Sequence, residues 1–287
     1  MSKTSTANNA DTRRLLACDL DGTLIANHGN VSGCAMQALE AAHRAGWTVV
    51  ISTGRSIAMV PGRLKRSHAV DAFITSNGAR VVLRGGETLF LRPIPRGRAL
   101  PAWSALVERG AATSVFFGGN VYFDRQAHFD IIGDRERPKL ERIGMLLRFF
   151  PHSYTTRDIR RRIRKNDAAI EKIGGFFSSA GAASKALSEL CGTDGLAVLT
   201  THGNDVEITA GDASKGDALS RLCERFGVKR DNVVVCGDSG NDRSMRAYCG
   251  MFVAPRNASG DVLAVADVIT DCAEKDGVAK WLLTNLN

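Results

Sequence analysis

The sequence predicts an α/β protein, a doubly wound parallel sheet into which a second, α+β domain is inserted. Short apolar runs alternate with amphipathic stretches over residues 14–83, the pattern of a parallel sheet covered by helices. Over residues 84–211 that rhythm gives way to an irregular mix of helical and β-rich pieces, and it resumes from residue 215. At 287 residues, 44% hydrophobic and 24% charged, the chain is long for one domain and has enough apolar material to bury a full core.

Taken in order, residues 1–12 are polar, rich in Ser, Thr and Asn, and read as a disordered tail. Leu15-Leu16-Ala17-Cys18 is a buried strand, 32–45 a helix, 47–51 a strand, 56–67 a helix interrupted near Pro61, and 72–75 a third strand. Arg84-Gly85-Gly86-Glu87 is a hairpin turn, and Pro93, Pro95 and Pro101 punctuate the chain beyond it, so the second domain is expected to begin at residue 84. It should contain strands within 115–123, a basic helix, a strand at 170–177, a helix at 182–190 and a hairpin over 196–208 turning at His202-Gly203-Asn204-Asp205. The expected division is therefore 13–83 with 212–287 for the core and 84–211 for the insertion. From Lys215 a helix, the strand Val233-Val234-Val235-Cys236, a helix from Asn241, strands at 251–254 and 268–270, and a closing helix complete the core.

Composition narrows the class. The seven cysteines are scattered, odd in number and form no CxxC pair, against both a disulfide framework and a zinc site, and they suit a reduced, cytoplasmic protein. No stretch approaches a membrane span, so no membrane partner is expected. The formal charge of +8 suits any anionic partner, and much of the excess lies in 157–165, where apolar residues recur at helical spacing with arginine on the remaining face. A solvated basic face is the plainer reading of that segment. His43, His68, His128, His152 and His202 show no ligand spacing, and the pairs Phe116-Phe117 and Phe149-Phe150 read as core.

The chemistry-bearing residues stand at strand ends. Asp19-Leu20-Asp21-Gly22-Thr23 comes directly after the first buried strand, where doubly wound sheets bind ligands. Two acids two residues apart can divide the labour, one attacking phosphorus and the other moving protons. The string also resembles the start of a calcium loop, but the preceding strand and the missing later acidic ligand weigh against that. Gly237-Asp238-Ser239-Gly240-Asn241-Asp242 comes after a second core strand, and carboxylates from two strand ends can jointly hold magnesium. Ser52-Thr53-Gly54-Arg55 and Lys215-Gly216 add a hydroxyl, backbone amides and an ammonium suited to a phosphate.

The order DxDGT, STGR, KG and GDSGND resembles the motif set of haloacid dehalogenase (HAD) superfamily phosphatases, over the whole core. The insertion before Lys215, with Ser76-Asn77-Gly78 and Asp276-Gly277-Val278-Ala279, is similar to the cap of the Cof-type branch, subclass IIB. Ala254-Pro255-Arg256-Asn257-Ala258 departs from the Met-Gly-Asn-Ala stretch of many Cof-type members and looks like the sucrose-phosphatase-like or mannosylfructose-phosphatase-like branch. The resemblance implies a HAD Rossmann-like core, a magnesium cofactor, and hydrolysis of a small phosphorylated metabolite, a sugar phosphate, through an aspartyl-phosphate. It implies catalytic roles for Asp19 as nucleophile, Asp21 as acid/base and Lys215, and a metal site of Asp19, Asp21 through its carbonyl, Asp238 as direct ligand and Asp242 beside it. Thr53, Gly54, Lys215 and Asn241 would hold phosphate, and Arg55 and Asn77 would contact substrate or phosphate, with Glu207 a further candidate. Two alternatives stay open: a phosphomannomutase-type mutase, which must exclude water, and a nucleic-acid-binding protein using the basic helix, the less favoured partner.

Overall fold

In the computed structural model, residues 13–26, 30–125, 153–201 and 203–286 are described. The expected tail, Phe149-Phe150, His128, His152 and His202 lie outside them. The chain forms two compact units, one of residues 1–55, 60–90 and 214–287, the other of 56–59 and 91–213.

The first unit is built on an eight-stranded sheet among the described residues. Its central strands are β1 (Arg14–Cys18), β2 (Trp47–Ser52), β3 (Ala72–Thr75) and β12 (Val233–Cys236), continued by β13 (Met251–Pro255) and β14 (Val268–Thr270), all parallel. With β4 (Arg80–Leu83) and β5 (Thr88–Leu91) the order is β14-β13-β12-β1-β2-β3-β4-β5. Residues on β1 alternate between faces, yet Leu15, Leu16, Ala17 and Cys18 are all buried, because helices cover both sides. On one side Leu15, Ala17, Val50, Ile74 and Val235 pack with Ala218, Leu219 and Leu222 of the helix Lys215–Phe226. On the other, α1 (Gly33–Arg44) packs against the closing helix Gly277–Asn285. Ser32 caps α1 by accepting from Ala35 N and also donates to Asp276 Oδ1 at 2.6 Å, which ties the two helices together.

Three expectations need correction. The unit does not end at residue 83: β4 runs antiparallel to β3, and β5 joins the same sheet. The turn between them carries Gly85 and Gly86 at φ of 102° and 94°, which returns the chain to the sheet rather than away from it. The expected helix 56–67 is a short turn at Ile57–Met59 followed after Pro61 by the four-residue α2 (Gly62–Lys65). The helix expected from Asn241 is a 3₁₀ segment, Arg243–Tyr248. There Ser244 Oγ donates to Asn241 O, the acceptor that an α-helix would give to Met245 N, and Met245 N turns to Asp242 O instead.

Among its described residues the second unit has a six-stranded sheet made of β6 (Ala112–Phe117), β7 (Asn120–Asp124), β8 (Ser153–Tyr154), β9 (Ile170–Phe176), β10 (Leu196–Leu199) and β11 (Asp205–Ala210). Its order is β10-β11-β9-β6-β7-β8, antiparallel except at the β7–β8 edge. Helices α3 (Ala99–Glu108), α4 (Thr156–Lys165) and α5 (Ala180–Leu190) cover one face, with Trp103, Leu106, Ile159, Ile163 and Ala186 packed on Val115, Phe117, Ile173 and Ile208. The basic segment is thus a helix, capped by Thr155, that buries Ile159 and Ile163 and leaves Arg157, Arg160, Arg161, Arg164 and Lys165 exposed. Arg162 lies instead against Tyr122 and Tyr154, 5.0 and 4.0 Å from their ring centroids. Phe117 belongs to the helix-covered core, while Lys172 Nζ stands 4.6 Å from the Phe116 ring and pairs with Glu207.

Candidate active site

The residues singled out at strand ends converge in the first unit. Asp19 sits just past β1 and is held by its backbone N donating to Cys236 O of β12 at 2.9 Å. Lys215 opens α6 (Lys215–Phe226), whose cap Ser214 accepts from Asp217 N. Its side chain is 1% exposed, and Nζ donates to Asp19 Oδ1 at 2.7 Å and to Asp242 Oδ1 at 2.6 Å. Oxygens of Asp19, Asp238 and Asp242 all lie within 4.8 Å of one another.

This crowding sets the electrostatics. Burial pushes the Asp19 carboxyl well above the usual carboxylate range; Lys215 opposes that rise, while Asp242, Asp238 and Asp21 add to it. Asp238 is pushed up to about 6, by burial first and by Asp242 second. Burial would pull the Lys215 ammonium down, but Asp19 and Asp242 outweigh it and hold the group above its ordinary value. Isolated buried charges cost several kcal/mol each, so one ammonium between two carboxylates is the least arrangement that lets them ionise together. One ammonium does not offset three carboxylates, and oxygen donors from two strand ends are the donor set a hard divalent cation takes. The group of Asp19, Asp238 and Asp242 therefore fits such an ion.

Close backbone approach makes the cluster possible. Gly22 has φ of 82°, and a Cβ there would stand 2.2 Å from Asp238 Oδ2. Gly78 has φ of 96°, and a Cβ there would meet Ser214 O at 2.1 Å, so the turn Ser76-Asn77-Gly78 and the start of α6 can touch only through glycine. Asp242 Oδ2 accepts from the backbone N of Asp238 and of Ser239 at 3.1 Å each, which fixes the loop after β12.

The remaining expected residues fall into place unevenly. Thr53 is buried at the end of β2, with Thr53 N on Ile74 O and Arg55 N on Thr53 Oγ1, and Gly54 forms the bend between. Asn241 Nδ2 donates to Asn77 Oδ1 at 3.2 Å, and Asn77 is buried at φ of 57°. Asp21 does not join the three clustered carboxylates: Arg55 grips it with Nε on Oδ2 at 2.7 Å and Nη2 on Oδ1. Glu207 belongs to the second unit, paired with Lys172.

Two positioning residues stand inside the motifs without having been given a role by them. Thr23 Oγ1 donates to Asp238 Oδ1 at 3.1 Å. Asn257 Nδ2 donates to Gly22 O at 2.8 Å while its Oδ1 accepts from Ala273 N at 2.9 Å, bracing the loop that carries Asp21.

Known proteins give the arrangement its family. The profile of haloacid dehalogenase-like hydrolases matches residues 16–282. Phosphatase YwpJ of Bacillus subtilis is 27% identical over 281 residues, covering 94% of this chain and 98% of its own. The 5-amino-6-(5-phospho-D-ribitylamino)uracil phosphatase YcsE of Bacillus subtilis is 28% identical over 276 residues, 94% of this chain and 96% of its own. In fold, the HAD subclass IIB sugar phosphatase BT4131 superposes with a TM-score of 0.75 at 22% identity, over 94% of this chain and 98% of that one. A sheet with an acidic cluster at its carboxyl end, matched along nearly its whole length by that profile and by these phosphatases, places the chain in the family of haloacid dehalogenase-like hydrolases, as a phosphatase.

Proposed function

We propose that this phosphatase is magnesium-dependent, acts on a small phosphorylated metabolite of the sugar-phosphate class, and works through an aspartyl-phosphate on Asp19. The observation that carries the reading is the Lys215 bridge between Asp19 and Asp242 beside Asp238, a nucleophile held in a site that calls for further positive charge. Magnesium, held by Asp19, Asp238 and the Asp21 carbonyl, would supply charge compensation between the Asp19 carboxylate and an anionic phosphoryl group.

The protein's own groups then divide the work. The Asp19 carboxylate attacks phosphorus, the bond from phosphorus to the ester oxygen breaks, and Asp21 gives that oxygen its proton. A water next attacks the same phosphorus and gives its proton to Asp21; the bond to Asp19 breaks and inorganic phosphate leaves. Thr53 and the Gly54 backbone, with Lys215 and Asn241, would hold the phosphoryl oxygens. Arg55 keeps Asp21 oriented through two hydrogen bonds and must release it for proton transfer, so it acts as a positioning residue. Substrate class rests on Pro255, which ends β13, with Arg256 beside Asn257 in the turn that follows, and on a relative whose named substrate is a phosphorylated ribityl compound.

No helix among the described residues is long and apolar enough to cross a membrane. All seven cysteines are free thiols, which supports a reducing, cytoplasmic setting. The direct test is phosphate release from sugar phosphates, nucleotides and p-nitrophenyl phosphate, with and without magnesium, in wild type and Asp19→Asn. We expect magnesium-dependent turnover that falls roughly 10³-fold or more in the variant. Equal turnover by Asp19→Asn would remove Asp19 as nucleophile.

A further inference from the structure

A second feature of the first unit lies at the other end of the sheet. The last turns of α1 bring Glu40, His43 and Arg44, and α2 with the turn after it brings Arg63, Arg66, Ser67 and His68, around a cavity of about 480 Å³ floored by buried Met36 and Ala69. The end of α1 feeds the start of β2, and the turn after α2 feeds the start of β3. The acidic cluster instead sits beyond the carboxyl ends of these parallel strands, so one six-residue strand, about 20 Å, separates the two places.

The charged groups here differ in their partners, and His43 Nδ1 lies 3.5 Å from Asp71 Oδ2. Arg55, Arg84, Arg221 and Arg246 each meet a carboxylate. The side chains of Arg44, Arg63 and Arg66 have no hydrogen-bond or ion-pair partner among the described residues, and Glu40 is the one carboxylate in the lining. Arg66 folds back over Gly62, where a Cβ would meet its Nη1 at 2.8 Å, so the absent side chain leaves the guanidinium room beside the hollow. Three planar guanidiniums with two imidazoles at the rim of an apolar-floored hollow form a donor set for a doubly charged phosphoryl group, and the volume matches that of small-molecule sites.

We propose that this hollow is a second ligand site, which binds a small phosphorylated molecule without turning it over. No cluster of carboxylates like that of Asp19, Asp238 and Asp242 lines it, so the bound molecule would act as an effector. The proposal stands independently of which substrate the acidic cluster hydrolyses.

The test uses full-length protein in EDTA with inorganic pyrophosphate as probe, and reads phenylglyoxal modification of each arginine by mass spectrometry. We expect pyrophosphate to slow modification of Arg44, Arg63 and Arg66 at least fivefold while the exposed arginines of α4 react as before. No protection at the three, or the same protection on α4, would overturn the site. In a second arm, calorimetry on Arg63→Ala/Arg66→Ala, both exposed positions outside the acidic cluster, should show at least tenfold weaker pyrophosphate binding with unchanged turnover of p-nitrophenyl phosphate. Pyrophosphate bound as tightly by the double variant as by wild type would also overturn it.

Discussion

The two units treat charge in opposite ways. In the first, Lys215, Asp19 and Asp242 are almost wholly buried and hydrogen-bonded to one another. In the second, the densest run of basic side chains in the sequence lies on α4 and faces solvent, and Lys172 with Glu207 is the buried pair nearest in kind among its described residues. Placing arginine in water costs almost nothing, whereas burying three ionisable groups costs several kcal/mol that packing must offset. The contrast teaches that chemistry is marked by where charge is buried and partnered, not by where it is most abundant.

The sharpest way to break that contrast is Lys215→Met. Two buried carboxylates lose their cation, so we expect phosphate release to drop roughly 10³-fold or more and stability in urea unfolding to fall by about 3–5 kcal/mol. Magnesium should restore part of that stability, and a variant as stable as wild type would mean that Asp19 and Asp242 are not charged together.

Arg55→Ala separates two roles for one residue. If Arg55 positions Asp21, kcat falls about 10- to 100-fold with KM little changed. A raised KM at constant kcat would return Arg55 to the substrate-contact role expected from the motif.

Asp238 carries part of the pH dependence, beside Asp19, which burial also raises. The Asp238 proton stabilises the metal-free fold below the usual carboxylate range, and that contribution is lost as pH rises through about 6. A cation must displace the proton, so calorimetric affinity for magnesium should rise with pH below that value, by up to about tenfold per pH unit from Asp238 alone. Affinity independent of pH between 5 and 7 would remove Asp238 from the metal site. The smallest effect is expected from Arg157→Glu with Arg161→Glu on α4, with turnover unchanged within about twofold and the melting temperature within about 1 °C. A large loss of turnover there would show that exposed charge in the second unit does contribute to the reaction.

Much of the first unit was legible because its signals are local. A buried apolar run ending in acids marks a strand end, and β1 and β12 present Asp19 and Asp238 as that pattern requires. What could not be read depends on contacts between distant residues. Whether Arg55 turns toward a substrate or toward Asp21 is a choice of rotamer, made by a partner 34 positions away. The turn at Gly85-Gly86 gives a hairpin signal whether or not its second strand joins the same sheet, so β5 was assigned to the wrong unit. The 3₁₀ segment after Asp242 arises from one serine hydroxyl competing for a carbonyl, which no periodicity in the sequence records.

The pairing of β1 with β12 has a consequence for how the protein is made. Leu15 has its register partner at Val233, so one flank of β1 stays open until the intervening chain has left the ribosome, roughly 10 to 40 s at ordinary rates of translation. A nascent chain in that interval carries Asp19 without Lys215 or Asp238 and exposes an apolar strand edge to every neighbour. From the order of the strands we expect an aggregation-prone nascent chain, and no phosphate release from a fragment that stops before residue 242.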